Sequence, residues 1–144
     1  MAKKENIKFE YENGVTKCSI QYDTYTAIGI AKCHPDDKDM QNEKTGCEIA
    51  FRRATISLYR YHRDILKAQL KSLNQLYYSM KQSSRFNPNS FENRMLQKQI
   101  NMIKIDLDTI KEMIVDTQNS IREYINLKDE FYVLIRKNRA KNNK

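Results

Sequence analysis

The 144-residue chain has few residues that break regular structure, with three glycines and two prolines, and it has no tryptophan. So few breakers favour long, uninterrupted elements. The three cysteines are odd in number and lack a Cys-x-x-Cys spacing, so we expect reduced thiols and a cytoplasmic protein. Because the start is polar we expect no signal peptide, and no apolar run approaches the roughly 20 residues that span a bilayer. We therefore expect no membrane partner.

Motifs of common catalytic sites are missing as well. The sequence has no glycine-rich phosphate loop, no Gly-x-Ser-x-Gly and no His-Glu-x-x-His. Cys33 beside His34, with Asp36 nearby, suggests a nucleophile and its base, but adjacent strand residues point to opposite faces. We expect these residues to be structural or to cap a helix. The chain is therefore predicted not to be an enzyme and to need no cofactor.

A metal site is not expected either. Cys18, Cys33, His34 and Cys47 lack the paired ligands two to four residues apart that zinc motifs use. A second acidic group has neither the spacing nor the glycine of a calcium loop; its members are Asp36, Asp37, Asp39 and Glu43. We expect packed thiols in the first case and helix capping in the second.

The most regular pattern in the sequence is a heptad in its last third. Apolar residues recur in alternating steps of four and three, interrupted by one polar residue, at Leu96, Ile100, Ile103, Leu107, Ile110, Ile114, Thr117, Ile121 and Tyr124. This spacing forms a narrow apolar seam along one side of a helix, which is typical of a helix that packs on another helix.

The first third alternates apolar and polar residues with the period of β-strands. Asn13-Gly14 is a strong hairpin signal because both turn residues tolerate positive φ, and a second turn is expected at Asp23-Thr24. Residues 7–32 are thus predicted to form a three-stranded antiparallel meander. Gly46, Ala50 and Ala54 would let the following helix lie close to this sheet.

Two long helices are predicted after the meander. Helix one covers 42–82, helix two covers 89–134 with Asn89 as N-cap and Glu92 in the capping box, and 135–144 is a basic tail. A short loop makes the helices antiparallel neighbours. The fold class is therefore α+β, a meander followed by a coiled-coil-like helical hairpin, in a single domain of residues 1–144.

The net charge of +8 and the pI near 9.4 favour anionic partners. Guanidinium groups bind phosphates through two parallel hydrogen bonds, and tyrosine rings stack on bases. One side of helix one that is rich in basic residues is therefore the main candidate for anion, nucleotide or nucleic-acid binding. The candidate residues are Arg53, Arg60, Tyr61, Arg63, Lys67 and Lys71, with Arg85 in the hairpin loop beside Phe86. A solvated helix face and a simple turn are the alternative interpretations.

Residues 29–37, which include Cys33-His34-Pro35-Asp36-Asp37, and residues 46–54 resemble a block found in small phage-encoded proteins of low-GC Gram-positive bacteria. The plan of a meander with two long helices resembles the Thoeris anti-defence proteins, which sequester a cyclic ADP-ribose-type signal, and also some anti-CRISPR proteins. The resemblance implies a non-enzymatic inhibitor of bacterial antiviral defence that acts in the host cytoplasm.

Such an inhibitor would bind a defence effector nuclease or its nucleic acid, or sequester a cyclic nucleotide signal. The alternative is a nucleic-acid-binding or structural coiled-coil accessory protein, and a third possibility is an adaptor for partner helices. A homo-oligomer is expected, because Met102, Ile105 and Met113 lie outside the main seam of helix two.

Overall fold

A computed structural model describes residues 6–32 and 43–142 of the chain. The elements are β1 (Asn6–Glu12), β2 (Val15–Tyr22), β3 (Tyr25–Lys32), α1 (Glu43–Lys81) and α2 (Phe91–Asn142). The predicted class is confirmed: an antiparallel sheet in the order β1-β2-β3 precedes a helical hairpin. The predicted turn at Cys33 to Asp39, with His34, lies outside the described residues.

The described chain forms two compact units. The first unit contains the sheet, residues 43–58 of α1 and residues 115–142 of α2, and the second unit is Tyr59–Ile114. Each helix contributes residues to both units. None of the described helices combines the length and the apolar character needed to cross a bilayer.

Both hairpin turns of the sheet lie where the sequence predicts them. Asn13 has φ 53° and Gly14 has φ 78°, so two consecutive residues adopt the left-handed conformation of a tight hairpin. Asp23 has φ 54° in the second turn. The two turns fix the register, with Glu12 opposite Val15 and Tyr22 opposite Tyr25.

One face of the sheet packs against α1 through unusually small residues. On β3, Ala27 and Ala31 are buried, and Gly29 between them has the backbone of Ala50 and Ala54 directly above it. Gly46 approaches the side chain of Thr16 in the same way. The close approach predicted for the small residues of α1 is therefore present, and β3 supplies a matching set of small residues.

Polar contacts fix α1 on the sheet at the edge of the small-residue contact. Arg53 Nη1 donates a hydrogen bond to the carbonyl oxygen of Ile30 at 2.6 Å. The hydroxyl groups of Tyr25 and Ser57 are hydrogen bonded at 3.0 Å. Because these contacts join α1 to β3 at two separate points, they resist sliding of the helix along the strand.

The predicted seam of the second helix is present in both units. In the second unit Leu96, Ile100 and Ile114 are buried, and in the first unit Ile121 is buried. The seam residue Tyr124 lies under a guanidinium group, with the Cζ of Arg52 at 4.7 Å from the ring centroid. The same guanidinium donates a hydrogen bond from Nη1 to the carbonyl oxygen of Ser120 at 3.3 Å. Arg52 therefore connects α1 to α2 within the first unit.

The predicted start of the second helix is wrong by one residue. The amide of Asn93 donates to Ser90 Oγ at 3.2 Å, so the N-cap is Ser90, and the Asn89 amide instead donates to Asn87 Oδ1 at 2.9 Å. Asn93 takes the capping-box position in place of Glu92, and its Nδ2 donates to the Pro88 carbonyl oxygen at 2.7 Å. The bond between the Asn87 side chain and the Asn89 amide closes the turn before the helix, and the Ser90 hydroxyl caps the helix.

The predicted end of the second helix also differs. The sequence predicts a helix to residue 134 followed by a basic tail over 135–144, but α2 continues to Asn142. Lysine and arginine are good helix formers, and near a helix C-terminus their charge is favourable to the helix dipole. A cluster of basic residues therefore extends the helix here instead of ending it.

Candidate anion-binding surface

The positive charge of the second unit is concentrated in its part of α1. Residues 59–81 contain five basic residues and one acidic residue, whereas residues 91–114 of α2 contain four of each. Because the α2 charges cancel, the field that attracts an anion to this unit comes from α1 and the neighbouring loop. The basic residues of α1 are Arg60, Arg63, Lys67, Lys71 and Lys81.

Lys67 and Lys71 form the centre of this surface. Both are exposed, and together with Leu70, Asn74, Gln75, Tyr78 and Ser79 they line an open, shallow surface. All of these residues belong to α1, so the surface is the face of one helix. We call this set of residues the basic face.

Tyr78 is a component of the basic face that the sequence analysis missed. It lies seven residues after Lys71, two helical turns away on the same side, and its side chain is 66% exposed. A tyrosine ring held out beside two lysines offers a planar surface for stacking on a base or a sugar. Continuing the heptad count beyond Lys71 would have identified it.

An acidic residue that the sequence analysis did not weigh interrupts the upstream part of the predicted site. Arg63 Nε lies 3.3 Å from Asp64 Oδ1, so part of its guanidinium is already engaged by a carboxylate. Asp64 follows Arg60 by four residues, on the same side of the helix. The Arg60–Arg63 region is therefore a weaker anion site than the Lys67–Lys71 region.

The other predicted residues are not grouped with Lys67 and Lys71. Arg53 belongs to the first unit, where it bonds to the carbonyl oxygen of Ile30. Tyr61 is half-buried, with its ring centroid 5.7 Å from that of His62. These contacts give both residues a structural role in addition to any part in binding.

The hairpin loop is built mainly for packing. Phe86 is half-buried and its ring meets Tyr77 edge to face, with 6.1 Å between centroids. Lys81 Nζ lies 5.4 Å from the centroid of the same Tyr77 ring. Arg85 is exposed, and its backbone amide donates to Ser83 Oγ at 3.2 Å. Arg85 is therefore accessible to an anion, while Phe86 anchors the loop.

Metal ligands are not grouped in residues 6–32 and 43–142, where no three His, Cys, Asp or Glu side chains lie together as a candidate site. Of the four residues considered as zinc ligands, Cys33 and His34 lie outside the described residues. Cys18 is buried and Cys47 is half-buried, and neither is in a disulfide. Burial raises the pKa of the Cys18 thiol, and the nearby Cys47 sulfur raises it further.

We expect Cys18 to react with iodoacetamide at least about 10-fold more slowly than Cys47 in the folded protein, because a raised pKa and burial both reduce the accessible thiolate. Peptide mapping by mass spectrometry after timed alkylation measures both rates, and labelling in urea is the control in which the two rates converge. Equal labelling of the two cysteines in the folded protein would contradict the burial of Cys18. Because the folded-state pKa is raised, ionisation of Cys18 also makes the fold less stable as the pH rises above the ordinary thiol value.

Comparisons of the chain with protein-family models, with curated proteins and with solved structures found no match. No relative therefore assigns a role to the basic face.

Proposed function

We propose that the chain is a non-enzymatic, phage-type antagonist of bacterial antiviral defence that binds nucleic-acid phosphates through the basic face. The observation that carries the binding part is the exposed set of Lys67, Lys71 and Tyr78 on one helix. The anti-defence part rests on the resemblance of residues 29–37 and 46–54 to small phage-encoded inhibitors.

The shape of the basic face favours an extended anion over a small cyclic nucleotide. Small-ligand sites are concave and bury most of the ligand, whereas Lys67 and Lys71 lie on a single convex helix. A nucleic-acid strand can follow such a helix, with phosphates contacted by the lysines and a base stacked on Tyr78. Contacts of this kind bind without reading the sequence.

The proposed mechanism is occupancy. The protein would cover nucleic acid that an effector nuclease must hold, and no covalent bond would change. We place this action in the bacterial cytoplasm, without a cofactor, and we propose that the active form is a homo-oligomer. The alternative is a nucleic-acid-binding or structural coiled-coil accessory protein, and only its structural form would not need the basic face.

The test is binding of a fluorescein-labelled single-stranded RNA and a labelled DNA duplex, measured by anisotropy at about 50 mM and about 200 mM salt. We expect the Lys67→Glu/Lys71→Glu variant to bind about 100-fold more weakly at the lower salt. Its salt dependence should also be shallower by about two phosphate contacts. Lys104→Glu/Lys111→Glu is the matched control because it makes the same charge change at exposed positions of α2 in the same unit. The control should lose less than about 5-fold.

Three results would overturn the proposal. The first is that the wild type does not bind nucleic acid. The second is that the control variant loses as much affinity as Lys67→Glu/Lys71→Glu, because net charge would then explain the binding. The third is tight, salt-insensitive binding of a cyclic ADP-ribose-type nucleotide, which would identify a small-molecule site instead. In bacteria that carry an RNA-guided nuclease, the wild type and the control should restore phage plaques, and Lys67→Glu/Lys71→Glu should not.

A further inference from the structure

In the second unit a second apolar stripe of α2 is largely exposed. Large apolar side chains recur outside the buried seam of this helix: Phe91 is 66% exposed, Met95 41%, Met102 55%, Ile105 63% and Met113 37%. Met102 also borders a shallow groove against α1. Lys98 and Thr109 occupy the intervening positions. We call these seven residues the back stripe.

The back stripe has the spacing of a helix-pairing seam. From Phe91 to Thr109 its residues follow one another in alternating steps of four and three, the same heptad as the buried seam of α2. A helix that packs on one neighbour needs a single apolar stripe. A second stripe with the same period, about 33 Å long at 1.5 Å per residue, fits a second helix of similar length.

The charges beside the back stripe indicate which helix pairs with it. Its N-terminal half carries Arg94, Lys98 and Glu92, a net charge of +1, and its C-terminal half carries Asp106, Asp108 and Glu112, a net charge of −3. A second copy of the same helix, running antiparallel, places the cations of each copy against the carboxylates of the other. A parallel copy places like charges opposite each other, which is unfavourable.

We propose that two copies of the chain pair through their back stripes in an antiparallel arrangement, with the two-fold axis crossing the stripe midway between Met102 and Ile105. Met102 of each copy then packs on Ile105 of the other, so the four most central apolar side chains cover one another. Lys98 lies opposite the partner's Thr109, between the partner's Asp106 and the partner's Glu112. Such a two-fold contact is closed, because each back stripe is used once.

This interface deepens the homo-oligomer part of the proposed function and does not depend on nucleic-acid binding. The back stripe lies on α2, whereas Lys67, Lys71 and Tyr78 lie on α1. The two parts of the proposal can therefore fail separately.

Sedimentation equilibrium from about 1 to about 200 micromolar at low salt tests the apolar contact. We expect a dimer for the wild type and an increase of at least about 100-fold in the dissociation constant for Met102→Glu/Ile105→Glu, because four carboxylates would be buried without partners. Leu76→Glu is the control: Leu76 is similarly exposed but lies on α1, so the dissociation constant should change less than about 3-fold. A wild type that stays monomeric throughout would overturn the proposal.

A charge exchange tests the orientation. Lys98→Glu and Glu112→Lys should each weaken the dimer on the order of 10-fold, because two symmetric contacts become repulsive. The double variant Lys98→Glu/Glu112→Lys should return to within about 3-fold of the wild type, since it restores opposite charges in an antiparallel pair. A dimer that survives Met102→Glu/Ile105→Glu would leave the homo-oligomer standing but overturn this interface. Failure of the double variant to recover would overturn the antiparallel arrangement.

Discussion

Gly29→Ala is expected to lower the free energy of unfolding by at least about 3 kcal/mol, although it adds a single methyl group. A Cβ at this position would lie far inside van der Waals contact with the Ala50 carbonyl oxygen and the Ala54 amide nitrogen, and 2.9 Å from the carbonyl carbon of Arg53. All three are backbone atoms of α1, so no side chain can rotate away. The helix must move off β3, which opens the contacts beneath it. Urea unfolding followed by circular dichroism measures the loss.

Ile28→Ala is the matched control for Gly29→Ala. Ile28 is the preceding residue of β3, it points to the opposite face of the sheet, and it is 45% exposed. Deleting three of its carbon atoms should cost less than about 1.5 kcal/mol, since much of the side chain is already in water. Adding one carbon at Gly29 should therefore cost more than removing three at Ile28. The reverse order would show that α1 does not approach β3 as closely as described.

The sheet and the helix seam were predictable because their signals are local and redundant. Asn13-Gly14 specifies a tight turn through backbone conformation alone, and the strand register follows from it. The heptad from Leu96 to Tyr124 repeats over more than three cycles, so an error at one position does not change the interpretation. The spacing of Gly46, Ala50 and Ala54 likewise indicated close packing on the sheet.

The two ends of α2 could not be predicted from composition. Asn89 and Ser90 are both good N-cap residues, and the Asn87 side chain decides between them by bonding to the Asn89 amide. At the other end, a run of basic residues is compatible with a solvated tail and with a helix, and α2 adopts the helix to Asn142. The choice of N-cap rests on single hydrogen bonds, which a sequence pattern does not encode.

The candidate site was predictable in its centre and less so at its margins. Helical spacing grouped Lys67 with Lys71, and both lie on the basic face. Spacing alone could not reveal that Arg53 bonds to the carbonyl of Ile30, because this contact joins residues from different elements. The exposed ring of Tyr78 was missed for a simpler reason, since the predicted site followed the spacing of basic residues and ended at Lys71.

Gly46→Ala is expected to cost about 1 to 3 kcal/mol of unfolding free energy, and a second substitution should recover most of it. The new methyl group would collide with Thr16 Oγ1 and lie 3.1 Å from Thr16 Cβ. Thr16 is 1% exposed, and its hydroxyl has no hydrogen-bond partner among the described residues. Thr16→Ala removes both the colliding atom and an unpaired buried oxygen, so by itself it should change stability by less than about 1 kcal/mol.

In the Thr16→Ala/Gly46→Ala variant the methyl group added to the helix occupies the space that the threonine side chain leaves. Replacing a helical glycine by alanine then contributes up to about 1 kcal/mol in its own right. The two substitutions should therefore be coupled by at least about 1 kcal/mol in a double-mutant cycle measured by urea unfolding. Thr26→Ala with Gly46→Ala is the control cycle, because Thr26 lies on the other face of the sheet and is exposed. That cycle should be additive within about 0.5 kcal/mol, and additivity in the Thr16 cycle as well would refute the contact between α1 and β2.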